Sequence, residues 1–394
     1  MKLNPKKRGK GVFNHFCKSL SSEKAGEIAL EDFKYKNILI SPLDWGLGHA
    51  TRIVPLIRAF EDFECTVTIA CSGATERLLR GEFPGALFIS LPGYGVVYPR
   101  KGGFFLSKIL SQLPRILFNV WKEHTWLRRQ QAIHRWDAVV SDNRYGLHHS
   151  DMPSVIITHQ LHIRTGVSGL LDGLVRRLLF RRLSRFDECW VPDAEHEPTL
   201  SGALSHGMVP GHVRYLGPLS RFGSLGVDQE RGRVLVLLSG PEPQRSIFEG
   251  RIEEQLRGFE GDILIVRGLP GGGGIKPDAG SVRWVNHLPA KELALELSSA
   301  SLVIARSGYS TVMDLVRTGR RAVLVPTPGQ TEQEYLARHL SDAGRFLSVA
   351  QSDFDLRKAV SEGLSLPIPS LKMDFDHHRE VVRGFLLGNH HRKP

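Results

Sequence analysis

Short apolar segments alternate with amphipathic ones through the second half of the chain. The apolar segments, rich in valine, isoleucine and leucine, cover 233–239, 262–267, 282–285, 302–305 and 322–326. Segments with helical periodicity lie between or after them, at 245–256, 290–298, 310–318 and 332–343. Wholly apolar strands that alternate with helices are typical of a parallel sheet covered on both faces. Because the crossovers between such strands are right-handed, the pattern predicts a doubly wound α/β domain.

The first half begins with the same alternation. We predict strands at 37–42, 65–71, 138–141 and 154–158, and a helix at 49–60. The segment 98–136 is mostly helical in pattern and unusually basic. The sequence therefore predicts two Rossmann-like domains, each with a doubly wound parallel sheet, that face a cleft.

The length of the chain agrees with two domains, since its 394 residues exceed the ~250–300 at which a single core stops growing. Residues 217–232 are rich in glycine, serine and charge without periodicity. We interpret them as a linker between an N-terminal domain at 37–216 and a C-terminal domain at 233–365. Residues 1–36 form a polar arm, and for 366–394 we expect a tail with a helix that returns toward the N-terminal domain.

Composition and charge narrow the class of protein. Hydrophobic residues make up 41% and charged residues 24%, which is the balance of a globular chain. The four cysteines form no CxxC pair, which favours buried free thiols in a reducing compartment and hence a cytoplasmic protein. We expect neither a secretory signal nor a membrane span, which would need ~18 consecutive apolar residues. The net charge of +11 indicates an anionic partner, such as nucleotide phosphates, acidic lipid headgroups or nucleic acid.

The first predicted strand ends in a glycine-rich turn that precedes a helix. The turn contains Asp44, Gly46 and Gly48, and His49 opens the helix. A dinucleotide site is disfavoured, because Thr51 replaces the third glycine and no acidic residue follows the second strand. The positive end of a helix dipole disfavours imidazolium, so we predict that His49 stays neutral and able to accept a proton. A histidine that only donates to a backbone carbonyl is the structural alternative.

Two later strands of the first half also end in polar residues. Asp142 and Asn143 follow the strand 138–141, and His159 follows the strand 154–158. Since the carboxyl ends of parallel strands share one edge of a sheet, these side chains should face the same crevice as His49. An Asx-turn or a salt bridge with Arg144 is the structural alternative for Asp142. The sequence predicts a general base at His49 or Asp142, and acceptor binding at Asp44, Gly48, Asn143 and His159.

In the second half, a glycine turn joins the strand 233–239 to the next helix. Ser239 and Gly240 end the strand, and Gln244 and Arg245 begin the helix, where free backbone N–H groups suit a phosphate. The two prolines between them remove donors, so a rigid proline turn is the alternative.

The segment that follows the strand 302–305 is the most informative. It contains a strand end, a glycine and two hydroxyls that we predict to cap the next helix: Arg306, Ser307, Gly308, Ser310 and Thr311. Asp314 would lie in the first turn, where a carboxylate suits the helix dipole or accepts hydrogen bonds from a ribose diol. Further on, Gln333 and Glu334 suit several sugar hydroxyls, although such residues also cap helices.

These residues resemble the GT-B glycosyltransferases of family 28, which add N-acetylglucosamine to lipid-linked peptidoglycan precursors. The resemblance is carried by 306–314, by Val325-Pro326 and by 333–337. It implies a UDP-sugar donor, with its diphosphate at Ser307 and Gly308, its ribose at Asp314, its sugar at Gln333 and Glu334, and its uracil at the loop of His287 and Leu288. It also matches Gly48 and His49 with the glycine-rich loop of that family.

Three departures concern the identity of the nucleotide base and of the sugar. Asp314 stands for the usual glutamate, Glu334 stands for a glutamine, and the loop at Ser239 is rich in proline rather than glycine. The spacing of Gly48, His49 and Arg52 also resembles the loop of nucleotide-sugar hydrolases of the same fold.

Two Asp-Phe-Asp triplets, at 353–355 and 374–376, have the spacing of a metal-binding DxD motif. The first lies where a helix begins and the second lies in the tail, which favours capping and solvation. The histidine pairs at 377–378 and 390–391 have no acidic or thiol partner at ligand spacing. We therefore predict neither a metal nor another cofactor.

The predicted reaction is inverting, metal-independent transfer of a sugar to an acceptor hydroxyl. The diphosphate would be held by backbone donors at Gly240 and Gly308 and by Arg245 or Arg306. A hydrolase or epimerase of the same fold is the first alternative, and a nucleic-acid-binding protein, for which no motif is visible, is the second. The apolar and basic segments 98–129 and 170–185 predict a lipid-linked or amphiphilic acceptor at the inner membrane face, unless their apolar residues pack on the sheet.

Overall fold

The computed structural model describes residues 33–44, 46–94, 105–163, 169–223, 232–240, 242–270, 272–274, 276–369 and 371–388. Most of the predicted polar arm lies outside these residues, as do Cys17 and the histidine pair at 390–391.

The first half forms a seven-stranded parallel sheet. Its strands are β1 (Asn37–Pro42), β2 (Thr66–Cys71), β3 (Leu87–Ser90), β4 (Ala138–Asp142), β5 (Ser154–Ile157), β6 (Glu188–Val191) and β7 (Val213–Tyr215). They lie in the order β3-β2-β1-β4-β5-β6-β7. The helices of this half are α1 (Leu47–Asp62), α2 (Gly73–Glu82), α3 (Phe105–His134) and α4 (Gly169–Leu183).

The second half forms a six-stranded parallel sheet. Its strands are β8 (Arg233–Leu237), β9 (Ile263–Val266), β10 (Val282–Val285), β11 (Ala300–Ala305), β12 (Ala322–Leu324) and β13 (Leu347–Ser348). They lie in the order β10-β9-β8-β11-β12-β13. Its helices are α5 (Gln244–Gln255), α6 (Ala290–Ser299), α7 (Tyr309–Thr318), α8 (Thr331–Asp342) and α9 (Leu356–Leu364). The predicted α/β class, with two doubly wound parallel sheets, is therefore confirmed.

Each sheet buries one of its central strands completely, which explains the uninterrupted apolar runs. All five residues of β4 are buried, and so are all six of β11, because helices cover both faces of each sheet. The winding direction reverses between β1 and β4 in the first sheet and between β8 and β11 in the second. Ligands of open α/β sheets bind at such reversals, beyond the carboxyl ends of the strands.

The last helix of the chain, α10 (His377–Leu386), packs against the first half. The backbone N–H of Lys34 donates to the carbonyl of Leu386 at 2.8 Å, and Arg379 pairs with Asp62 of α1 at 2.6 Å. The ring of Phe385 also contacts Trp190 of β6, edge to face, at 5.5 Å between centroids. The chain therefore crosses back to the first sheet after completing the second.

Three cysteines lie within the described residues, and all three are buried free thiols, as predicted. Burial raises the pKa of Cys65, Cys71 and Cys189 to about 12 in each case. Thiols of this kind are unreactive packing groups.

Candidate active site

The two sheets present their strand ends to each other across a narrow cleft. The hydroxyl of Ser310 at the start of α7 donates to the carbonyl of Gly48 at the start of α1, at 2.8 Å. The Tyr309 hydroxyl donates to the carbonyl of Pro192, which follows β6, also at 2.8 Å. A Cβ atom at Gly48 would lie 3.0 Å from the Ser310 hydroxyl, so only glycine fits this close approach without displacement. Residues from both halves therefore form one site.

His49 and Asp142 form a hydrogen-bonded pair on the first side of this cleft. The Nδ1 atom of His49 lies 3.1 Å from Oδ2 of Asp142, which is the last residue of β4. Gly46 caps α1 with a φ of 87°, a conformation that glycine adopts without strain, and so lets the helix start directly beyond β1. The prediction that these strand ends converge is therefore confirmed.

Arg52 completes this pair and was not among the predicted site residues. It lies one turn after His49, and its guanidinium binds both carboxylate oxygens of Asp142, with Nε donating to Oδ2 at 2.8 Å. Its Nη1 atom donates to Nδ1 of His159 at 3.0 Å, whereas Nη2, which donates to Oδ1 of Asp142, also lies 3.0 Å from Nδ1 of His49. The alternative of a salt bridge between Asp142 and Arg144 is wrong, because Arg144 pairs instead with Glu123 at 2.9 Å. The i, i+3 spacing of His49 and Arg52 was the available sequence signal.

Burial and neighbouring charges set the protonation states in this cluster. Burial alone would raise the pKa of Asp142, but Arg52 and His49 hold it well below its usual range. The pKa of His49 is lowered, chiefly by burial, and Arg52 and His159 lower it further against the opposing effect of Asp142. His49 is therefore neutral near pH 7, as predicted, although burial rather than the helix N-terminus is the main cause.

His159 extends the cluster across the cleft. Its Nε2 atom lies 2.8 Å from Oε1 of Glu332, at the start of α8, and the Gln160 side-chain amide donates to the other oxygen of that carboxylate. The His159 ring also stacks on Tyr309, with centroids 4.4 Å apart and an interplanar angle of 7°. Sequence reasoning missed Gln160 and Glu332, because an acidic residue in the first turn of a helix is common for electrostatic reasons alone.

The other two predicted acceptor residues lie at the same strand ends. Asp44 follows β1, and its carboxylate packs so closely over Gly93 that a Cβ atom there would lie 1.7 Å away. Asn143 follows β4 with a φ of 55°, and its backbone N–H donates to the carbonyl of Ile157 at 3.1 Å. Both are partly exposed next to the His49–Asp142 pair.

On the second side of the cleft, the predicted phosphate-binding residues lie in the loop after β8 and at the start of α5. Gly240 is exposed with a φ of 97°, Ser239 is partly exposed, and Gln244 begins α5 in a buried position. Arg245 donates from Nε to Glu242 at 2.6 Å and also binds Glu249. The predicted contact of the Arg245 side chain with a diphosphate does not fit this position, because two carboxylates already neutralise the guanidinium.

Arg306 also differs from the prediction. It is 1% exposed and donates to the carbonyls of Val325, Pro326 and Gln244, at 3.0–3.2 Å. Its guanidinium further bonds the amide oxygen of Gln351 at 2.6 Å and lies over the ring of Phe248 at 4.4 Å. Arg306 therefore ties the ends of three elements together beneath the cleft instead of pointing into it.

The start of α7 differs from the predicted capping arrangement. The helix begins at Tyr309, its cap is Gly308, and no side chain accepts a capping hydrogen bond. Ser310 instead donates across the cleft, and the Ser307 hydroxyl donates to the carbonyl of Gln333 at 2.8 Å. The prediction that Ser310 and Thr311 cap the helix is wrong, because tertiary contacts take the Ser310 hydroxyl. The backbone N–H groups of this first turn are left open to a ligand.

Asp314 lies in the second turn of α7, not in the first as predicted, because the helix begins one residue early. Its Oδ1 atom accepts a hydrogen bond from the Ser220 hydroxyl at 2.6 Å. Burial raises the pKa of Asp314 to about 6, against the lowering effects of Arg221 and Ser220. The carboxyl is therefore held between α7 and the segment that joins the two sheets.

The remaining predicted donor residues brace loops on this side. The amide of Gln333 accepts from the backbone N–H of Thr327 at 2.9 Å, and Glu334 accepts from that of Gly329 at 2.8 Å. His287 and Leu288 follow β10 and are partly exposed, and burial together with Arg221 lowers the pKa of His287. The structure thus brings these residues to one rim without assigning them a ligand.

The first Asp-Phe-Asp triplet has the capping role that we predicted, and the second forms a local turn. Asp355 accepts from the backbone N–H of Lys358 at 2.8 Å as the cap of α9. Asp374 accepts from the backbone N–H groups of Asp376 and His377, at 2.8 and 3.1 Å. In the part of the chain that the structure describes, no three histidine, cysteine or acidic side chains form a group that could hold a metal ion.

Comparison with known proteins agrees with this geometry. Residues 283–373 match the glycosyltransferase family 28 C-terminal domain. A segment of 92 residues is 36% identical to a UDP-N-acetylglucosamine–N-acetylmuramyl-(pentapeptide) pyrophosphoryl-undecaprenol N-acetylglucosamine transferase of Rhodopseudomonas palustris, over 23% of this chain and 24% of that protein. The corresponding transferase of Methylorubrum extorquens is 42% identical over 78 residues, 19% of this chain and 21% of that protein. This chain therefore matches about a quarter or less of the length of these relatives.

Solved structures extend the likeness to both sheets. The glycosyltransferase of kitacinnamycin superposes with a TM-score of 0.59 at 17% identity, covering 91% of this chain and 96% of that one. The spinosyn rhamnosyltransferase SpnG, in complex with thymidine diphosphate, gives a TM-score of 0.58 at 14% identity, covering 90% and 96%. The fold is thus that of the GT-B glycosyltransferases. The resemblance to family 28 is confirmed for the part of the second half that matches it.

Proposed function

We propose that this protein transfers a sugar from a nucleotide-sugar, in the first instance a UDP-sugar, to an acceptor hydroxyl. The observation that carries the proposal is the pair of the partly buried His49 and the buried Asp142, which faces the helix start at Gly308 across the cleft. The first side supplies a neutral base, and the second side, which matches the family 28 domain, supplies helix N-termini suited to a diphosphate.

In this reaction Nδ1–H of His49 donates to Asp142, and Nε2 of His49 removes the proton from the acceptor hydroxyl while Asp142 stabilises the imidazolium that forms. The acceptor oxygen attacks the anomeric carbon on the face opposite the diphosphate, through an oxocarbenium-like state, so the configuration inverts. The bond from the anomeric carbon to the diphosphate oxygen breaks in the same step. Since Asp142 already accepts two bonds from Arg52, its charge is well fixed for this role.

Backbone N–H groups near Gly240 and Gly308, at the starts of α5 and α7, would stabilise the departing diphosphate. We propose a metal-independent reaction because Asp355 and Asp374 of the two Asp-Phe-Asp triplets already accept hydrogen bonds from backbone N–H groups. Gln333 and Glu334 would bind the sugar from α8, and His287 and Leu288 would line the site of the nucleotide base.

Thermal unfolding with a panel of nucleotide-sugars tests this proposal, because a ligand that binds only the folded protein raises its melting temperature. We expect one nucleotide-sugar, and its nucleoside diphosphate, to stabilise the protein at submillimolar concentration, with release of the diphosphate when an acceptor is present. The proposal fails if no nucleoside diphosphate or nucleotide-sugar stabilises the protein at millimolar concentration.

A nucleotide-sugar hydrolase is the second candidate, and one observation favours it. Arg52, which completes the hydrolase-like spacing with Gly48 and His49, is bound into the His49–Asp142 pair, and the Gly48–Ser310 contact narrows the acceptor side. A hydrolase would release free sugar from the donor without any acceptor. Analysis of the products with donor alone therefore separates the two candidates.

We further propose that the acceptor is amphiphilic and that the first half rests on an anionic membrane surface. Exposed apolar side chains of α3 and α4 form what we call the apolar-basic surface: Leu117, Phe118, Trp121, Leu170, Leu174 and Leu178 are 46–90% exposed. Arg115, Lys122, Arg177 and Arg181 are exposed beside them. An apolar face flanked by cations suits the interfacial region of an acidic bilayer. The predicted alternative applies to Val120, Leu127, Leu179 and Leu183, which pack inward.

None of the described helices is both long and apolar enough to cross a membrane. Sedimentation with vesicles tests the surface contact instead. We expect binding to acidic but not neutral vesicles at low salt, and loss of binding in Phe118→Ser/Trp121→Ser. Leu295→Ser, which changes an equally exposed leucine on the second half, is the matched control and should bind normally. A protein that stays in the supernatant with acidic vesicles would favour a soluble acceptor.

A further inference from the structure

Two adjacent side chains form a site with two hydrogen-bond donors, and a carboxylate of the same protein occupies it. His159 and Gln160, consecutive residues after β5, each bond a different oxygen of the Glu332 carboxylate. Two donors from adjacent residues that bind two oxygens of one group form the arrangement with which proteins bind carboxylates and phosphates. Glu332 reaches this pair from the other half of the molecule, at the first turn of α8.

Arg52 fixes which nitrogen of His159 carries the proton. A guanidinium can only donate hydrogen bonds, so Nδ1 of His159, at 3.0 Å from Arg52, must accept one. A neutral His159 then carries its proton on Nε2, which points at the Glu332 carboxylate 2.8 Å away. The stacked ring of Tyr309 holds the imidazole plane in place. The pair is therefore built to donate, whichever carboxylate or phosphate occupies it.

The charges around the pair also suit an anion. Burial alone would raise the pKa of Glu332, but His159, Arg52 and His49 lower it below its usual value, so its carboxylate is ionised. The same Arg52 guanidinium lies 3.0 Å from Nδ1 of His49. The guanidinium of Arg52 would therefore lie between an anion bound by His159 and Gln160 and the proposed base, His49.

We infer that His159 and Gln160 form a receptor for an anionic group of the acceptor, a carboxylate or a phosphate, and that Glu332 occupies this receptor when substrate is absent. The inference rests on the proposed sugar transfer only in naming the acceptor as the source of the anion. The inference predicts that the acceptor carries a carboxylate or a phosphate close to the hydroxyl that reacts. Glu332 would leave the receptor as the substrate enters, and its helix α8 also carries Gln333 and Glu334 of the donor rim.

Removal of Glu332 should let a small anion take its place. We would measure the melting temperature of Glu332→Ala in sodium acetate, in sodium phosphate and in sodium chloride of equal ionic strength. Acetate or phosphate at about ten times its dissociation constant should raise the melting temperature by at least about 2 °C over chloride. The anion with the larger effect identifies the group as carboxylate or phosphoryl. The wild-type protein, whose receptor is filled, should show no such difference.

Two controls separate the receptor from general effects of salt. Glu334→Ala removes a carboxylate from the same helix that bonds Gly329 instead, and its melting temperature should be the same in acetate, phosphate and chloride. Gln160→Ala in the Glu332→Ala background should abolish the anion effect. Should Glu332→Ala not fold, Glu332→Gln keeps the shape but offers one oxygen to two donors, and acetate should stabilise it in the same direction.

Equal melting temperatures of Glu332→Ala in acetate, phosphate and chloride would overturn the inference and leave the Glu332 contact as an ordinary ion pair. The same holds if the anion effect survives Gln160→Ala. These measurements contain no nucleotide-sugar and no turnover. The receptor can therefore fail while sugar transfer stands, and absence of transfer in the wild type would not affect the anion binding.

Discussion

The two sides of the cleft differ in how they use their polar residues. On the first side, His49, Arg52, Asp142 and His159 form one connected and largely buried ionic cluster. On the second side, hydroxyl and amide groups such as Ser307 and Gln333 brace loops, and the buried Arg306 donates chiefly to backbone carbonyls. The first side is suited to proton transfer and the second to binding, although the two sheets share one winding pattern.

This difference has a simple physical origin. A base needs a shifted pKa, and burial next to fixed charges produces one. A diphosphate site needs donors without the cost of burying charge, and the starts of helices provide them. The same edge of the same kind of sheet can therefore serve either role, depending on whether ionisable or small residues follow its strands.

Replacement of His49 tests the comparison most strongly. We expect His49→Ala to lower kcat by about 10²–10⁴-fold, the usual contribution of a general base, with donor affinity nearly unchanged. His149→Ala is the matched control, because His149 lies beside the amino end of β5 rather than at the carboxyl ends of the strands. Steady-state kinetics and calorimetric titration of the donor measure the two effects. If both fall together, His49 binds the diphosphate and the division between the sides is wrong.

The next largest effect should come from Arg52. Arg52→Leu leaves the carboxylate of Asp142 buried without its partner, so the free energy of unfolding should fall by about 3–5 kcal/mol. Arg58→Leu, two turns later on α1, breaks a half-exposed pair with Glu82 and should cost less than about 1 kcal/mol. Urea titration of both variants gives the comparison. Equal losses would show that the Arg52 cluster contributes no more than a surface pair.

Asp314 tests how an ionisable carboxyl group on the second side affects stability. Its pKa is about 6 in the folded protein and 3.8 in the reference state, so the ionised form is disfavoured by folding. The stability that the protonated carboxyl contributes is complete below pH 3.8 and is lost as the pH rises through 6. Asp314→Asn should therefore raise the free energy of unfolding at pH 8 by about 1–2 kcal/mol, after allowance for solvent screening, and change it little at pH 4.

The same variant tests the predicted ribose contact. Since loss of one buried partner costs about 1–3 kcal/mol, nucleotide affinity should fall even as stability rises. Calorimetry of Asp314→Asn with the stabilising nucleotide measures this. Unchanged affinity would remove Asp314 from the nucleotide site and leave it as a buried link to Ser220.

The smallest effect concerns pH. Because the pKa of His49 lies below its ordinary value of 6.5, its neutral form persists into more acidic solution. We expect the acidic limb of kcat/KM to lie below pH 6.5, measured with buffers of constant ionic strength. An acidic limb above pH 6.5 would mean that Asp142 raises the pKa of His49 by more than burial lowers it, so that the first side favours the imidazolium form.

The sequence by itself determined the α/β class with two parallel sheets and placed His49, Asp142 and His159 at one sheet edge. Apolar runs such as 300–305 can only be buried on both faces, and polar residues at their ends must share an edge. It did not reveal β3, β6, β7 or β13, whose runs are short, and it assigned Ser310 to a cap. A local pattern cannot show that a carbonyl of Gly48, more than 260 residues away, offers a better partner.

Only the tertiary structure decided which charges pair with which. Asp142 could have paired with Arg144, its near neighbour, but that guanidinium turns toward Glu123 and Arg52 takes its place. The sequence predicts that Arg306 binds phosphate. In the fold its guanidinium is buried and bonds Gln244 and Gln351 of neighbouring elements. The physical reason is that hydrophobic periodicity reports burial, whereas the partner of a buried charge depends on distances that only the packed chain sets.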